Sequence, residues 1–151
     1  MAEYLTRDAV ESVALNNAIP FIDFIRCTKG NVFHQNGTGI FVLRGNTPNC
    51  FARYEVEFTG NIAVPTGGTV TPIATAIVVS GEQREGSRSI FEPTAVEEYG
   101  NVTSRAVVDV PRGCCFTLAV EYVNGTVNDP ATTPTPLINV IDGSISINRV
   151  A

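Results

Sequence analysis

Tryptophan is absent from this 151-residue chain, and histidine and lysine occur once each, at His34 and Lys29. These scarcities exclude several kinds of chemistry. Catalytic triads and most zinc sites need a histidine beside a nucleophile or beside further ligands, and the surrounding "VFHQNGTG" supplies neither. His34 therefore reads as a polar residue beside a turn. Phosphate backbones need clustered Lys and Arg, whereas here nine arginines are scattered singly in a chain of net charge −5. Nucleic acid is not an expected partner. Charged residues make up only 17% of the chain, against about 25% in an ordinary soluble domain. Part of the surface is therefore expected to be covered by another subunit or a partner. No run approaches the length of a membrane-spanning helix, so no membrane is expected. "MAEYLTRDAV" has neither the basic start nor the apolar run of a signal peptide, so synthesis in a cytoplasm is expected.

What is present is apolar and alternating. Hydrophobic residues reach 44%, and the length suits one domain with a core of its own. Helix signals are few. Thr6 to Asn17 fits a short capped helix with Val10, Val13 and Ala14 on one face, but also a strand, and a strand or extended arm is favoured because everything after it is β. Candidate strands are "PFIDFIR", "VFHQ", "GIFVLRG", "CFARYEVEFTG", "PIATAIVVSG", "RSIFEP", "VTSRAVVDV", "CCFTLAVEYV" and "SISINRV". Asn36-Gly37 and Asn124-Gly125 carry the residues that tight hairpins demand, and Gly45-Asn46, Gly67-Gly68 and Gly100-Asn101 read as turns too. Val127 to Pro136 is too rich in proline for an inner strand. Regularly spaced strands with long crossing connections predict two packed antiparallel sheets, an all-β jelly-roll sandwich.

Strand alternation assigns faces. Tyr54, Val56 and Phe58 face the core, leaving Phe51, Arg53, Glu55 and Glu57 outside. On the later strand Phe116, Leu118, Val120 and Tyr122 form the core face. Cys114 shares that parity and is expected inside, with Cys115 and Thr117 facing outward or toward a neighbour. The adjacent cysteines are not a metal site, because Cys27, Cys50, Cys114 and Cys115 lack the C-x₂₋₄-C spacing of structural zinc. A disulfide between neighbours would be strained. Reduced thiols acting as small apolar residues are expected, with a Cys27–Cys50 bridge or a redox role as the alternatives.

No catalytic constellation emerges. Glu92, Glu97 and Glu98 in "EPTAVEEYG" lack the set separation of glycosidase carboxylates and the ligand alternation of a calcium loop, and read as a solvated loop. "VPTGGTVTP" has glycines but no lysine and no following helix, so it is no phosphate loop. Three Asn-x-Thr sequons, at Asn36, Asn101 and Asn124, read as turn residues. No catalytic residue, metal or cofactor is assigned.

The runs "GNIAVPTGGTV", "AIVVSGEQ", "VDVPRGCCFTLAVEYVNGT" and "ISINRV" resemble the bacterial and phage branch of the C1q/tumour-necrosis-factor-like jelly rolls. That branch includes the terminal domains of spore-surface collagen-like proteins. "GNIAVPTGG" and "VDVPRGCC" resemble small proteins encoded among the structural genes of phages of gut Firmicutes. The resemblance spans residues 26–151 and leaves residues 1–25 as an N-terminal arm. It implies a compact, non-enzymatic jelly roll that forms homotrimers, with Phe51, Arg53, Glu55, Cys115 and Thr117 as candidates for the trimer seam. No collagen-like repeat is present, so the expected function is that of a virion protein. It would be a capsid decoration (cement) protein that binds the major capsid protein on the outer surface of the shell. The apolar arm, through Leu5, Val10, Val13 and Leu15, is the expected anchor, by adding a strand to a partner. The other reading of residues 1–25 is that they form the first strands of the same sandwich. The alternative function is a receptor- or glycan-binding head of a fibre or spore-surface protein.

Overall fold

The computed structural model describes residues 2–6, 9–26, 30–35, 37–125 and 133–151. Among them the strands are β1 (Ala2–Leu5), β2 (Glu11–Ala14), β3 (Asp23–Arg26), β4 (Val32–His34), β5 (Phe41–Arg44), β6 (Phe51–Ala63), β7 (Ile73–Val79), β8 (Glu82–Gln83), β9 (Ser89–Phe91), β10 (Gly100–Pro111), β11 (Cys115–Asn124) and β12 (Leu137–Arg149). No helix occurs among the described residues. One sheet runs β10-β6-β12-β1-β3 with β2 also on β12, and the other runs β4-β5-β11-β7-β8 with β9 on β7. Each pairing is antiparallel. The expected all-β antiparallel jelly-roll sandwich is the observed architecture.

Alternation decides the core. Along β6 every second residue from Ala52 to Phe58 is buried, and its neighbours from Phe51 to Glu57 are exposed. Leu118, Val120 and Tyr122 do the same on β11, and Ile145 and Ile147 on β12. Phe116 is only partly buried, packing against the edge of this cluster. Hydroxyls that enter the core find partners, as buried polar groups must. Tyr54 on β6 donates to the Arg44 carbonyl across the sandwich at 2.6 Å, and Tyr122 donates to the Thr135 carbonyl at 2.6 Å. Thr75 on β7 and Ser104 on β10 meet at 3.0 Å between the two sheets.

Of residues 1–25, the described ones, 2–6 and 9–25, lie within the sandwich, the second of the two readings of this segment, and not apart from it as an arm. β1 lies inside the first sheet, between β12 and β3, and β2 extends the same sheet along Leu137–Val140. Residues 16–19 then cross to the second sheet, where the Ile19 amide donates to the Val120 carbonyl and the Tyr122 amide donates to the Asn17 carbonyl. Ile19 and Phe21 are fully buried. The Phe21 ring sits between Phe41 of one sheet and Phe58 of the other, at centroid distances of 5.6 and 6.1 Å. The proposed boundary after residue 25 falls within β3. The physical reason is that an apolar, alternating segment satisfies its backbone groups and buries its side chains within its own chain when two strand edges are open beside it.

Two further differences are local. Residues 137–143 are strand, although the sequence shows that strand only from Ser144 onward. The cause is a bulge between Ile141 and Ser144, where Asp142 takes a φ of 52° and breaks the alternation. Gly143 lets Thr6 approach there, because a Cβ at that position would lie 2.8 Å from the threonine methyl carbon. Gly100 and Asn101 open β10 and pair with Ile62 and Asn61, so they do not form a turn.

Candidate functional site

His34, Glu97 and Glu98, singled out in the sequence, each make local contacts. His34 Nε2 donates to the Thr38 carbonyl at 2.7 Å, and its ring stacks on Phe41 at 4.5 Å. The Glu97 carboxylate accepts from the Thr66 amide at 2.9 Å and from its hydroxyl at 3.2 Å. Glu98 accepts from the Thr94 hydroxyl at 2.7 Å. Each glutamate thus fastens a loop, and neither faces a shared cleft. Among the described residues no group of three His, Cys, Asp or Glu side chains could hold a metal ion.

The cysteines divide differently from the expectation. Cys50, Cys114 and Cys115 are unbridged and exposed, and Cys27 lies outside the described residues. Cys114 is not on the core face. Its amide donates to the Pro111 carbonyl in a turn through Gly113, whose φ is 78°, so the strand begins one residue later. The turn redirects the chain before the parity that would have pointed Cys114 inward takes hold.

The seam candidates occupy two surfaces. Phe51, Arg53 and Glu55 lie on the outer face of the first sheet, whereas Cys115 and Thr117 lie on the outer face of the second. Two sheets packed core to core turn those faces in opposite directions, so one flat seam cannot contain all five. The anchor candidates scatter as well. Val13 is buried at 2% exposure and Leu15 packs on the core, while Leu5 is half-buried and Val10 is 52% exposed.

β10, β6 and β12 present a regular outer face. Its charges are largely answered within the chain. Arg53 donates to both Asp109 oxygens, at 2.7 and 2.9 Å, and its guanidinium lies 5.1 Å from the centre of the Phe51 ring. That bidentate hydrogen bond holds the Asp109 carboxyl below its ordinary range and raises the Arg53 guanidinium further. Arg105 pairs with Glu57 at 3.3 Å. Between these two pairs stands Val107, 55% exposed and facing Glu55 across the strands. Ser146 and Asn148 complete a shallow depression of about 460 Å³ with Glu55, Glu57, Arg105 and Val107. Val107 was missed from the sequence because "AVVDV" places three valines within four positions, and only pairing reveals which one faces out.

No family model and no curated protein sequence matches the chain. Solved structures do match. The globular domain of zebrafish complement 1qA aligns at 14% identity with a TM-score of 0.60, covering 95% of this chain and 92% of that one. Eiger TNF from S. frugiperda aligns at 9% identity with a TM-score of 0.64, covering 99% and 91%. Murine APRIL, crystallised at pH 5.0, aligns at 12% identity with a TM-score of 0.55, covering 95% and 97%. The fold is C1q/TNF-like. At these identities the likeness carries the fold alone, and the chemistry must come from the residues described above.

Proposed function

We propose that the chain is a non-enzymatic assembly protein that forms a homotrimer and decorates the outer surface of a phage capsid by binding the major capsid protein. One observation carries the assembly reading: the exposed Val107 on β10, between the Arg53–Asp109 and Arg105–Glu57 pairs of a strand face on which most charges are answered within the chain. A charge paired within the chain costs less to take out of water than an unpaired one, so such a face suits covering better than one of unpaired charges. The C1q/TNF-like fold and the low overall charge support the same reading. The seam then uses Phe51, Arg53 and Glu55, and Cys115 and Thr117 remain outside it. The capsid partner rests on the resemblance of "GNIAVPTGG" and "VDVPRGCC" to proteins encoded among phage structural genes. The bound protein would add buried area between capsid subunits and hold the shell against the pressure of packaged DNA.

Sedimentation equilibrium of the purified protein tests the assembly, with Val107→Lys as the variant. Because Val107 is exposed in the protomer, the variant should fold with an unchanged strand spectrum and sediment as a monomer. A wild-type monomer at micromolar concentration refutes the trimer, and a trimeric Val107→Lys moves the seam elsewhere. Counting copies on purified particles tests the rest. A number comparable to the capsid protein supports decoration, whereas a few copies favour a receptor- or glycan-binding head on a fibre.

A further inference from the structure

At one end of the sandwich the turn after β5 and the turn before β11 border a shallow, open depression of about 440 Å³. Its floor and rim include Arg44, Arg112, Cys114 and Cys115, and no carboxylate lines it. The two turns are clamped together. Gly45 donates to the Cys114 carbonyl, Gly113 donates to the Gly45 carbonyl, and a Cβ on Gly45 would run into the Pro111 carbonyl. Cys115 and Arg44 are direct cross-strand partners, so their side chains leave the sheet side by side on the same face. Among the described residues the guanidinium groups of Arg44 and Arg112 donate to main-chain carbonyls, of Gly30 at 3.5 Å and Pro48 at 3.4 Å. In a chain of net charge −5, this end therefore holds two positive charges that no ion pair answers among the described residues, beside two exposed thiols.

We propose that this depression is a site of reversible thiol modification, in which Cys115 takes up a small anionic thiol from its disulfide. The Cys115 proton passes to solvent and the thiolate attacks one sulfur of the bound disulfide. The reagent's S–S bond breaks, its electron pair leaves on the departing thiolate, and a new S–S bond joins Cys115 to the retained half. The disulfide is the oxidant, so the step is balanced without another reagent. Arg44 and Arg112 select for negative charge on the incoming molecule, which is the chemistry of a peptide disulfide such as oxidised glutathione. The neighbouring thiol does not readily remove the adduct, because a bond between adjacent residues 114 and 115 would strain the peptide between them. The modified state persists until an external thiol reverses it. The site lies on the outer face of the second sheet, away from the proposed seam, and stands or falls independently of it.

The experiment incubates the reduced, intact protein with glutathione disulfide, with neutral hydroxyethyl disulfide and with cationic cystamine, and follows adduct formation by mass spectrometry and peptide mapping. The expected result is one mixed disulfide on Cys115, formed roughly fivefold faster with the anionic than with the cationic reagent at low salt. In about 1 M salt, where screening acts within ~3 Å, the rates converge. Arg44→Gln with Arg112→Gln should abolish the charge preference while leaving Cys115 modifiable, and Cys115→Ser should abolish the adduct. Modification first at Cys27, Cys50 or Cys114, rates indifferent to reagent charge, or protein-to-protein disulfides in place of the mixed disulfide would each overturn the proposal.

Discussion

Whether the N-terminal segment is part of the sandwich or an appendage can be decided with one buried ring. Tyr4 is 5% exposed and pairs with Ile145 of β12 and Phe24 of β3. Its ring meets Phe41 edge-on at 4.9 Å and His34 at 4.7 Å. Truncating a buried aromatic residue to alanine costs about 3–5 kcal/mol when the cavity cannot collapse, and that range already includes the stacking of the ring on its neighbours. A chain of this size shifts its melting temperature by about 2–4 °C per kcal/mol, so Tyr4→Ala should lower it by roughly 6–20 °C. Val10→Ala is the control. Val10 belongs to the same segment but is 52% exposed, and should change stability by no more than about 0.5 kcal/mol. Urea denaturation of both variants, followed by strand dichroism, gives the two free energies. If Tyr4→Ala is as harmless as Val10→Ala, the segment does not contribute to the core and the arm reading returns. Deleting residues 1–17 should then be tolerated as well, whereas the structure requires that deletion to prevent folding.

Three other expectations follow from buried polar groups. Ser104→Ala should cost about 1–3 kcal/mol by leaving the fully buried Thr75 hydroxyl without its partner across the sheets, and Thr75→Val should cost less, because the Ser104 hydroxyl still reaches the Thr75 carbonyl at 3.3 Å; the double variant should cost less than their sum, and strict additivity in a double-mutant cycle would refute the pair. Burial pushes the Tyr122 phenol up to about 12. Its folded value is raised, so the stability it contributes is fully present below its unfolded value near pH 10 and is lost as pH rises through about 12. That loss amounts to at most about 2–3 kcal/mol, which Tyr122→Phe should remove from an alkaline stability profile. Burial also raises the Glu121 carboxyl, which lies between Ala18 and Ala76 on the second sheet. Its ionised form therefore works against folding at neutral pH, and Glu121→Gln should raise the melting temperature at pH 7 but give no gain once the medium is acidic enough to protonate the glutamate in both states. An equal gain at both pH values would show that charge burial is not the cause.

What the sequence determined was whatever alternation alone can specify. In β6, strict period-two spacing over "CFARYEVEF" placed Tyr54, Val56 and Phe58 inside, and Leu118, Val120 and Tyr122 of β11 followed by the same rule, because neighbouring side chains on a strand must point opposite ways. Scarcity of His and Lys similarly set the expectation of no catalysis and no nucleic acid before any fold was known. Three matters needed the tertiary structure. Cys114 has the parity of a core residue, but the turn through Gly113 ends that parity one residue too early. Val107 is indistinguishable from Val108 and Val110 until pairing with β6 gives each a side. Residues 2–6 and 9–26 carry apolar side chains suited equally to a partner's surface or to their own core. The choice between them depended on open edges of β12 and β11, which are distant in sequence and exist only once both sheets have formed.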